Sequence, residues 1–367
     1  MKRSIYLQPT AMFWNRSARR AIDEPDIPEW RGLPLAGGRL SFAALDVLTR
    51  ATPETKRRTI VLGDAFSGDW GREALAAADI LEELSSQRPR IAGLSLDRPR
   101  IMGIVNVTPD SFSDGGENLN TDKAIAHGLE LIAEGADILD IGGESTRPQS
   151  DAVALDEELR RVIPVIEGLR AKTDAVISID TRKGEVMRRA AAAGADILND
   201  VSAFTHDPDS LAVAAEAELP VIVMHAQGDP KTMNDNPQYD DVVLDVFDYL
   251  ESRVQACIAA GIPKSKIVVD PGIGFGKHLH HNVAVMAGLS LYHGLGVPIL
   301  LGASRKKMIG QLCNVDDVKD RVSGSLACAI AGVASGVQIV RVHDVKETKQ
   351  AIEVWRACTA GTEKGLE

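Results

Sequence analysis

The chain has 367 residues, of which 44% are hydrophobic and 25% charged, a composition typical of globular proteins and unlike that of disordered chains. Forty-one Lys and Arg against 52 Asp and Glu give a net charge of −11, which argues against binding to nucleic acid or to an anionic membrane. The four cysteines are widely spaced and form no C-x-x-C pair, so we expect reduced thiols and a cytoplasmic protein. We expect neither a signal peptide nor a membrane span.

Residues 1–97 differ in character from the rest of the chain. Prolines at positions 25, 28, 34 and 53 interrupt segments of weak periodicity, and three of the four tryptophans lie within the first seventy residues. These features predict a small, partly helical N-terminal extension with a short strand near residues 59–62. The sequence assigns it no activity.

From about residue 98, short apolar runs alternate with longer amphipathic stretches. The runs are 101–107, 137–141, 176–180, 197–200, 220–224, 267–270, 298–302 and 337–341, and the main helical candidates are 121–134, 156–170, 183–193, 241–260 and 319–334. This pattern predicts an α/β fold, a (β/α)₈ TIM barrel over residues 98–367. A doubly wound sheet is the alternative, but its Gly-rich dinucleotide turn is missing after the first run, where Asn106 begins the sequence NVTPD.

Each of the eight predicted strands ends in polar residues. The first of these after each strand are Asn106, Glu144, Asp180, Asn199, His225, Asp270, Ser304 and Arg341. In a barrel such residues converge on one mouth, although capping a helix is an alternative role for any single one. Carboxylates and amides there suit a ring with several donors, and four cations suit an anion: Arg305, Lys306, Arg341 and His343. The sequence therefore indicates a phosphorylated heterocycle, with Asn106 as a ligand for Mg²⁺ shared with the phosphate.

Two loops carry further expectations. Residues 108–116 are polar apart from Phe112 and end in two glycines, which predicts a mobile lid, an ordinary solvated loop being the alternative. Residues 270–277 (DPGIGFGK) fit neither the dinucleotide nor the P-loop template. We interpret their glycines as allowing the backbone to approach a ligand.

Seven motifs, in order, resemble those of the dihydropteroate synthase family. They are GIVNVTPDSFSDGG (103–116), DIGGESTRP (140–148), SIDT (178–181), LND (198–200), DPGIGFGK (270–277), GASRK (302–306) and RVHD (341–344). The resemblance covers about residues 98–360. It implies a TIM-barrel transferase that joins 6-hydroxymethyl-7,8-dihydropterin diphosphate to 4-aminobenzoate, with Mg²⁺, and releases diphosphate in folate biosynthesis.

The resemblance also implies roles for individual residues. The pterin pocket would contain Asp180, Asn199, Asp270 and Lys306, of which Asp180 and Lys306 would be catalytic. Asn106, Arg341 and His343 would hold the diphosphate and its Mg²⁺. The 4-aminobenzoate side, where sulfonamides compete, would be lined by Phe112, Thr146, Arg147, Pro148, Phe275 and Ser304.

Gln149 departs from the family, which has glycine after Arg-Pro, and the extension lies outside the shared core. A pterin-dependent corrinoid methyltransferase is one alternative function, but it would have no use for a diphosphate clamp. A non-catalytic pterin-binding protein is another. The resemblance further implies a homodimer, for which the apolar stripe at residues 323–333 is a candidate face, although the same stripe would serve equally to pack on the barrel.

Overall fold

The eight predicted barrel strands form one parallel sheet in the computed structural model, which describes residues 3–14, 32–51, 54–62, 74–107, 117–145, 152–228, 232–233 and 235–361. The strands are β5 (Arg100–Asn106), β6 (Ile138–Gly142), β7 (Val176–Asp180), β8 (Ile197–Asp200), β9 (Val221–Met224), β10 (Ile267–Asp270), β11 (Leu300–Leu301) and β12 (Ile339–Val342). Their order in the sheet is β10-β9-β8-β7-β6-β5-β12-β11. A bridge between Val269 and Ile299 joins the two ends, so the sheet closes into a barrel.

Helices connect the strands on the outside of this barrel. They are α2 (Glu117–Glu134), α3 (Leu155–Arg170), α4 (Gly184–Ala193), α5 (Ser210–Ala217), α6 (Val242–Ala259), α7 (Leu279–Ala287), α8 (Lys307–Cys313), α9 (Val322–Ala334) and α10 (Val345–Ala360), with 3₁₀ turns at Lys264–Lys266, Leu289–Leu295 and Lys319–Arg321. The α/β barrel prediction is confirmed. Asp241 caps α6, since its carboxylate accepts the backbone N–H groups of Val243 and Leu244 at 3.1 and 3.2 Å.

The described part of the extension contains a helix and a strand overlapping residues 59–62, as predicted, but it has more β-structure than the prediction allowed. It contains β1 (Tyr6–Trp14), β2 (Leu33–Pro34), β3 (Leu40–Thr49), β4 (Lys56–Val61) and one described helix, α1 (Ala74–Ser85). The antiparallel pairs are β1 with β3, β2 with β3 and β3 with β4, and the sheet has a hydrophobic core of its own with α1. The division at residue 97 stays a prediction.

The extension docks on the barrel beside α6. The hydroxyl of Tyr6 donates to Asp248 Oδ1 at 2.7 Å, and Arg50 Nη2 lies 2.7 Å from Asp248 Oδ2. Arg3 lies over the Phe247 ring, 4.9 Å from its centre. Since these contacts are partly buried and mix apolar packing with charge pairing, they fix the extension against one side of the barrel.

A tight turn near the end of the extension plugs the end of the barrel where the strands begin. Ile91 and Leu94 exchange backbone hydrogen bonds of 3.1 and 2.8 Å, with Ala92 and Gly93 between them at positive φ. The buried Ile91 side chain belongs to a cluster with one residue from each barrel strand: Met102, Ile138, Val176, Ile197, Ile222, Val268, Leu300 and Ile339. The opposite end of the barrel is therefore the one available to a substrate.

Shortening the plug should destabilise the whole barrel. We expect Ile91→Ala to lower the free energy of unfolding by about 2–5 kcal/mol, because it leaves a cavity against all eight strands. Urea denaturation measures this loss. Leu75→Ala is the matched control, since Leu75 is 82% exposed on α1, and it should change stability by less than about 0.5 kcal/mol. Equal losses in both variants would contradict the role of Ile91.

None of the helices among the described residues is both long and apolar enough to cross a membrane.

Candidate active site

Polar side chains gather at the end of the barrel where the strands finish. The strand register places Asn106, Gly142, Asp180 and Asn199 in one row across β5 to β8. Gly142 leaves room between its neighbours, because a Cβ there would lie 3.9 Å from both Asn106 Oδ1 and Asp180 Oδ2. The row therefore opens a space bordered by an amide and a carboxylate.

Arg341 joins two carboxylates at the centre of this mouth. Its Nε lies 2.6 Å from Asp140 Oδ2, and its Nη2 lies 2.9 Å from Asp180 Oδ2. Asn199 donates to Asp140 from 3.3 Å. Asp140 is 0% exposed, so its charge depends on these partners.

One carboxylate oxygen of Asp180 has no hydrogen-bond partner among the described residues. This oxygen is Oδ1, which is buried. Burial and the adjacent Asp140 raise the pKa of Asp180 to about 7, although Arg341 acts in the opposite direction. Buried acceptors are almost always satisfied, which makes this oxygen a recognition point for an N–H donor of a ligand.

Asp270, Lys306 and Phe275 form the neighbouring wall. Burial raises the pKa of Asp270 to about 6, although its Oδ1 accepts the Gly272 N–H at 2.7 Å. The Lys306 ammonium lies 4.0 Å from the centre of the Phe275 ring. Gly302 lies between Asp270 and Arg341, since its missing Cβ would be 3.7 Å from Asp270 Oδ2 and 3.9 Å from Arg341 Cβ. The wall thus combines a donor, an acceptor and an aromatic face.

The glycines of the 270–277 loop serve mainly to pack the chain against itself, which differs from the ligand-approach interpretation. A Cβ on Gly272, at φ +68°, would lie 1.9 Å from the His225 carbonyl oxygen, and one on Gly276 would lie 2.4 Å from that of Gln227. Gly274 alone faces the mouth, 3.1 Å from Lys306 Cδ by the same measure. Backbone approach to a neighbouring loop therefore explains two of the three glycines.

The buried side chain of Lys277 holds this loop in place, a role that was not predicted from the sequence. Its ammonium lies 2.8 Å from both the Gly272 carbonyl oxygen and His225 Nδ1, and 3.1 Å from the Phe275 carbonyl oxygen. The residue is 4% exposed, and burial lowers its pKa to about 7. Lys277 therefore holds Asp270 and Phe275 in position without reaching the mouth.

Polar contacts join the end of the eighth strand to the loop that follows the seventh strand. Ser304 Oγ lies 3.0 Å from His343 Nδ1 and accepts the His343 backbone N–H at 3.2 Å. Arg305, expected as an anion ligand, instead pairs with Asp344 and adopts a φ of +56°. Arg305 is therefore held by Asp344, and the other expected anion ligands at the mouth are Lys306, His343 and Arg341, which already pairs with Asp140 and Asp180.

Four predicted site residues lie outside the described residues: Phe112, Thr146, Arg147 and Pro148. The lid prediction for residues 108–116 and the Gln149 departure lie there too. Of the residues at the mouth, Asp140 was not predicted, and Glu144 was predicted at a strand end but not in the contacts that it makes. Asp140 is a lone carboxylate inside an apolar strand, a signal that could have revealed it. Glu144 accepts from Arg182 at 2.7 Å, Lys183 at 2.9 Å and the Val153 N–H at 3.3 Å, which ties together the chain on either side of residues 146–151.

Comparison with known proteins identifies relatives of this chain. Residues 102–343 match the family model for pterin binding enzymes. The dihydropteroate synthase of Escherichia coli (strain K12) is 49% identical over 270 residues, which are 74% of this chain and 95% of the relative. The solved structure of Xanthomonas albilineans dihydropteroate synthase with 4-aminobenzoic acid is 51% identical with a TM-score of 0.70, and covers 74% of this chain and 98% of its own.

A second structure from Xanthomonas albilineans, in complex with 7,8-dihydropteroate, is 48% identical with a TM-score of 0.68 and covers 74% of this chain and 99% of its own. Every mouth residue described above, from Asn106 to His343, falls within the matched family range. The family resemblance stated from the motifs is therefore confirmed. The chain belongs to the pterin-binding enzyme family and, within it, to the dihydropteroate synthases.

Proposed function

We propose that this chain joins 6-hydroxymethyl-7,8-dihydropterin diphosphate to 4-aminobenzoate, releasing diphosphate and 7,8-dihydropteroate. The observation that carries the proposal is the buried, unsatisfied Asp180 Oδ1 beside the Arg341 guanidinium. Asp180 and Arg341 are adjacent, so one part of the mouth offers both an acceptor for a ring N–H and a cation for a phosphate. The relatives, which are synthases, support this pairing over a corrinoid methyltransferase.

The pterin ring would lie against the carboxylates and the Lys306 wall. Its N–H groups match the acceptors of Asp180, Asp270 and the Asn199 amide, and its carbonyl oxygen matches the Lys306 ammonium. Burial of Asp180 and Asp270 makes these hydrogen bonds selective, because a ring that leaves them unpaired would carry the cost of their desolvation.

The reaction forms a C–N bond between the aniline nitrogen and the pterin methylene carbon while the C–O bond to diphosphate breaks. The electron pair of the breaking bond leaves with the diphosphate, and the new nitrogen loses a proton. A neutral aniline needs little activation, so the rate depends on stabilising the charges that separate. Arg341 and His343 would hold the departing diphosphate, and Asp180 would stabilise the positive charge on the pterin side.

The aminobenzoate would bind on the side of Phe275 and Ser304, which lie in the loops that follow the sixth and seventh strands. Its ring suits the face of Phe275. By the family motifs, Phe112, Thr146, Arg147 and Pro148 would complete this side from loops outside the described residues. Glu144, which ties together the flanks of the second loop, would position Thr146 and Arg147.

Mg²⁺ fits the mouth only together with the substrate. No group of three or more His, Cys, Asp or Glu side chains among the described residues could hold a metal ion. Asn106 Oδ1 borders the open space at Gly142, and a single amide oxygen combined with diphosphate oxygens and waters is a usual Mg²⁺ environment. The ion would supply charge neutralisation on the diphosphate when bound.

Two broader predictions accompany this function. A homodimer follows from the family resemblance alone, with the stripe on α9 as one candidate face, and sedimentation velocity would test it. The cytoplasmic location agrees with four free thiols, two of them exposed at Cys313 and Cys358, because exposed thiols persist best in a reducing compartment.

The decisive assay is diphosphate release by the purified chain with both substrates and Mg²⁺. Release that requires 4-aminobenzoate, with dihydropteroate formed, would establish the proposal. Tight binding of dihydropterin diphosphate without turnover would contradict it and indicate a non-catalytic pterin-binding protein.

The raised pKa of Asp180 predicts a pH dependence of substrate capture. Asp140, Asp200 and Glu158 add to the effect of burial and Arg341 opposes it, which places the pKa at about 7. The ionised carboxylate, needed to accept ring N–H groups, therefore predominates only above that pH. We expect kcat/KM for dihydropterin diphosphate to rise through pH of about 7 and level off above it. A flat profile in initial-rate measurements would contradict this expectation.

A further inference from the structure

A second cavity of about 280 Å³ lies at the end of the barrel opposite the catalytic mouth. It opens between α10 and the starts of β5 and β6, and its lining includes Ile101, Asp137 and Arg356. Because the mouth residues follow the strands and these residues begin them, the two sites are separated by the length of the barrel. Nothing in the proposed reaction uses this cavity.

Arg356 places an unsatisfied cationic donor in this cavity. The residue is 8% exposed, and its buried Nε donates no hydrogen bond to any residue that the structure describes. Burial and the nearby charges of Arg39 and Arg98 lower its pKa, but a guanidinium still keeps its proton at neutral pH. Since buried polar groups are almost always satisfied, this donor indicates a missing acceptor.

Two further cations line the same cavity. Arg98 precedes the first barrel strand, and Lys349 lies on the same face of α10 as Arg356, about two turns before it. Gly135 allows the lysine to lie close, because a Cβ there would meet Lys349 Cδ at 2.5 Å. Three cationic side chains therefore converge although the chain as a whole carries a net charge of −11.

The carboxylates of the cavity do not cancel this charge. Asp137 already accepts from Arg98 at 2.7 Å and from Arg100 at 2.9 Å through Oδ1, and from the Ile101 N–H at 3.0 Å through Oδ2. Glu353 is the other carboxylate of the lining among the described residues. The lining therefore carries three cations, Arg98, Lys349 and Arg356, against two carboxylates, and the surplus of one positive charge favours an anion.

We propose that this cavity binds a small phosphorylated anion, with Arg356 and Lys349 as its principal ligands. A guanidinium and an ammonium donor, about two turns apart on one helix face, suit a phosphate with several charged oxygens. The apolar walls formed by Pro99, Ile101 and Ile352 admit a small organic body beside that phosphate. The volume fits a diphosphate or a sugar phosphate, and it is too small for a dinucleotide.

The cavity also adjoins the extension, which supplies a spectroscopic signal. Trp355 precedes Arg356 on α10, and its ring contacts that of Trp14 on β1, with 6.0 Å between ring centres. An anion that reorders Arg356 should therefore change the fluorescence of this tryptophan pair. Arg39, also from the extension, lies close enough to influence Arg356 electrostatically.

The test titrates the full chain with inorganic tripolyphosphate by calorimetry and tryptophan fluorescence. We expect two binding sites in the wild type, one at the mouth and one in the cavity. Arg356→Gln and Lys349→Gln should each weaken the cavity site at least tenfold while kcat/KM for both substrates stays unchanged. Lys346→Gln is the matched control, because it removes one charge from an exposed position of the same helix. Arg341→Gln should abolish only the mouth site.

Three results would overturn the proposal. One is unchanged tripolyphosphate binding in both Arg356→Gln and Lys349→Gln. Another is the loss of all binding in Arg341→Gln, which would leave the mouth as the source of the whole signal. The third is a change of molecular mass in sedimentation for Arg356→Gln, which would assign the buried guanidinium to a contact between copies. Diphosphate release tests the catalytic proposal separately, so the two can fail independently.

Discussion

Asp180→Asn should lower kcat/KM for dihydropterin diphosphate by about 10²–10³-fold, the range seen when one preorganised electrostatic stabiliser of a transition state is removed. The amide keeps the shape of the side chain but removes the negative charge next to the developing cation. It also replaces one acceptor with a donor. Initial rates at varied pterin substrate, with 4-aminobenzoate saturating, would measure the loss.

The fold should survive this change. Burial disfavours the charged form of Asp180, so a neutral amide costs little, and Arg341 keeps its 2.6 Å contact with Asp140. Asp174→Asn is the control, since Asp174 is exposed and lies on the approach to the same strand. The variant should also lose the rise of kcat/KM near neutral pH. Turnover within about threefold of wild type would contradict the assigned role of Asp180.

Arg341→Gln should lower both stability and activity. The substitution leaves Asp140 and Asp180 buried without their cation, which costs about 3–5 kcal/mol when one partner of a buried ion pair is removed. It also removes a ligand for the departing diphosphate. We expect chemical denaturation at pH 8 to show the stability loss and the assay to show the activity loss.

The stability loss of Arg341→Gln should shrink at pH 5. A carboxyl group whose pKa is raised in the folded state, as at Asp180, lets the folded protein bind more protons than the unfolded chain. Its contribution to stability therefore falls as the pH rises above about 4. Without Arg341 this effect grows, so the difference from wild type is largest at high pH. Arg341→Lys should recover part of the stability, and equal losses at pH 5 and pH 8 would contradict the pairing.

The barrel could be predicted from the sequence because its signals are local. Each strand is an apolar run between amphipathic helices, and the predicted run 176–180 coincides with β7 (Val176–Asp180). Polar residues at strand ends were predictable for the same reason. The parallel fold brings all of these ends together whatever the details of packing.

The extension and the pairing inside the mouth depend on contacts distant in sequence. Strand β3 (LSFAALDVLT) is rich in Ala and Leu, which favour helices, and it becomes a strand only through pairing with β1 and β4. Asp140 stands out as a lone carboxylate in an apolar strand, but its partner Arg341 lies 201 positions away and is brought to it only by β12. Charge pairing of this kind has no local pattern to reveal it.

The plug at Ile91 has a consequence for the order in which the chain can fold during synthesis. The extension leaves the ribosome first and can bury its own core at once. The plug precedes every barrel strand, yet its cluster needs Ile339 on β12, which is made last. Strand β5 must likewise wait for β12 before the barrel closes. Closure is therefore a late, non-local step, and until then the nascent barrel keeps its first strand edge exposed next to an already folded neighbour.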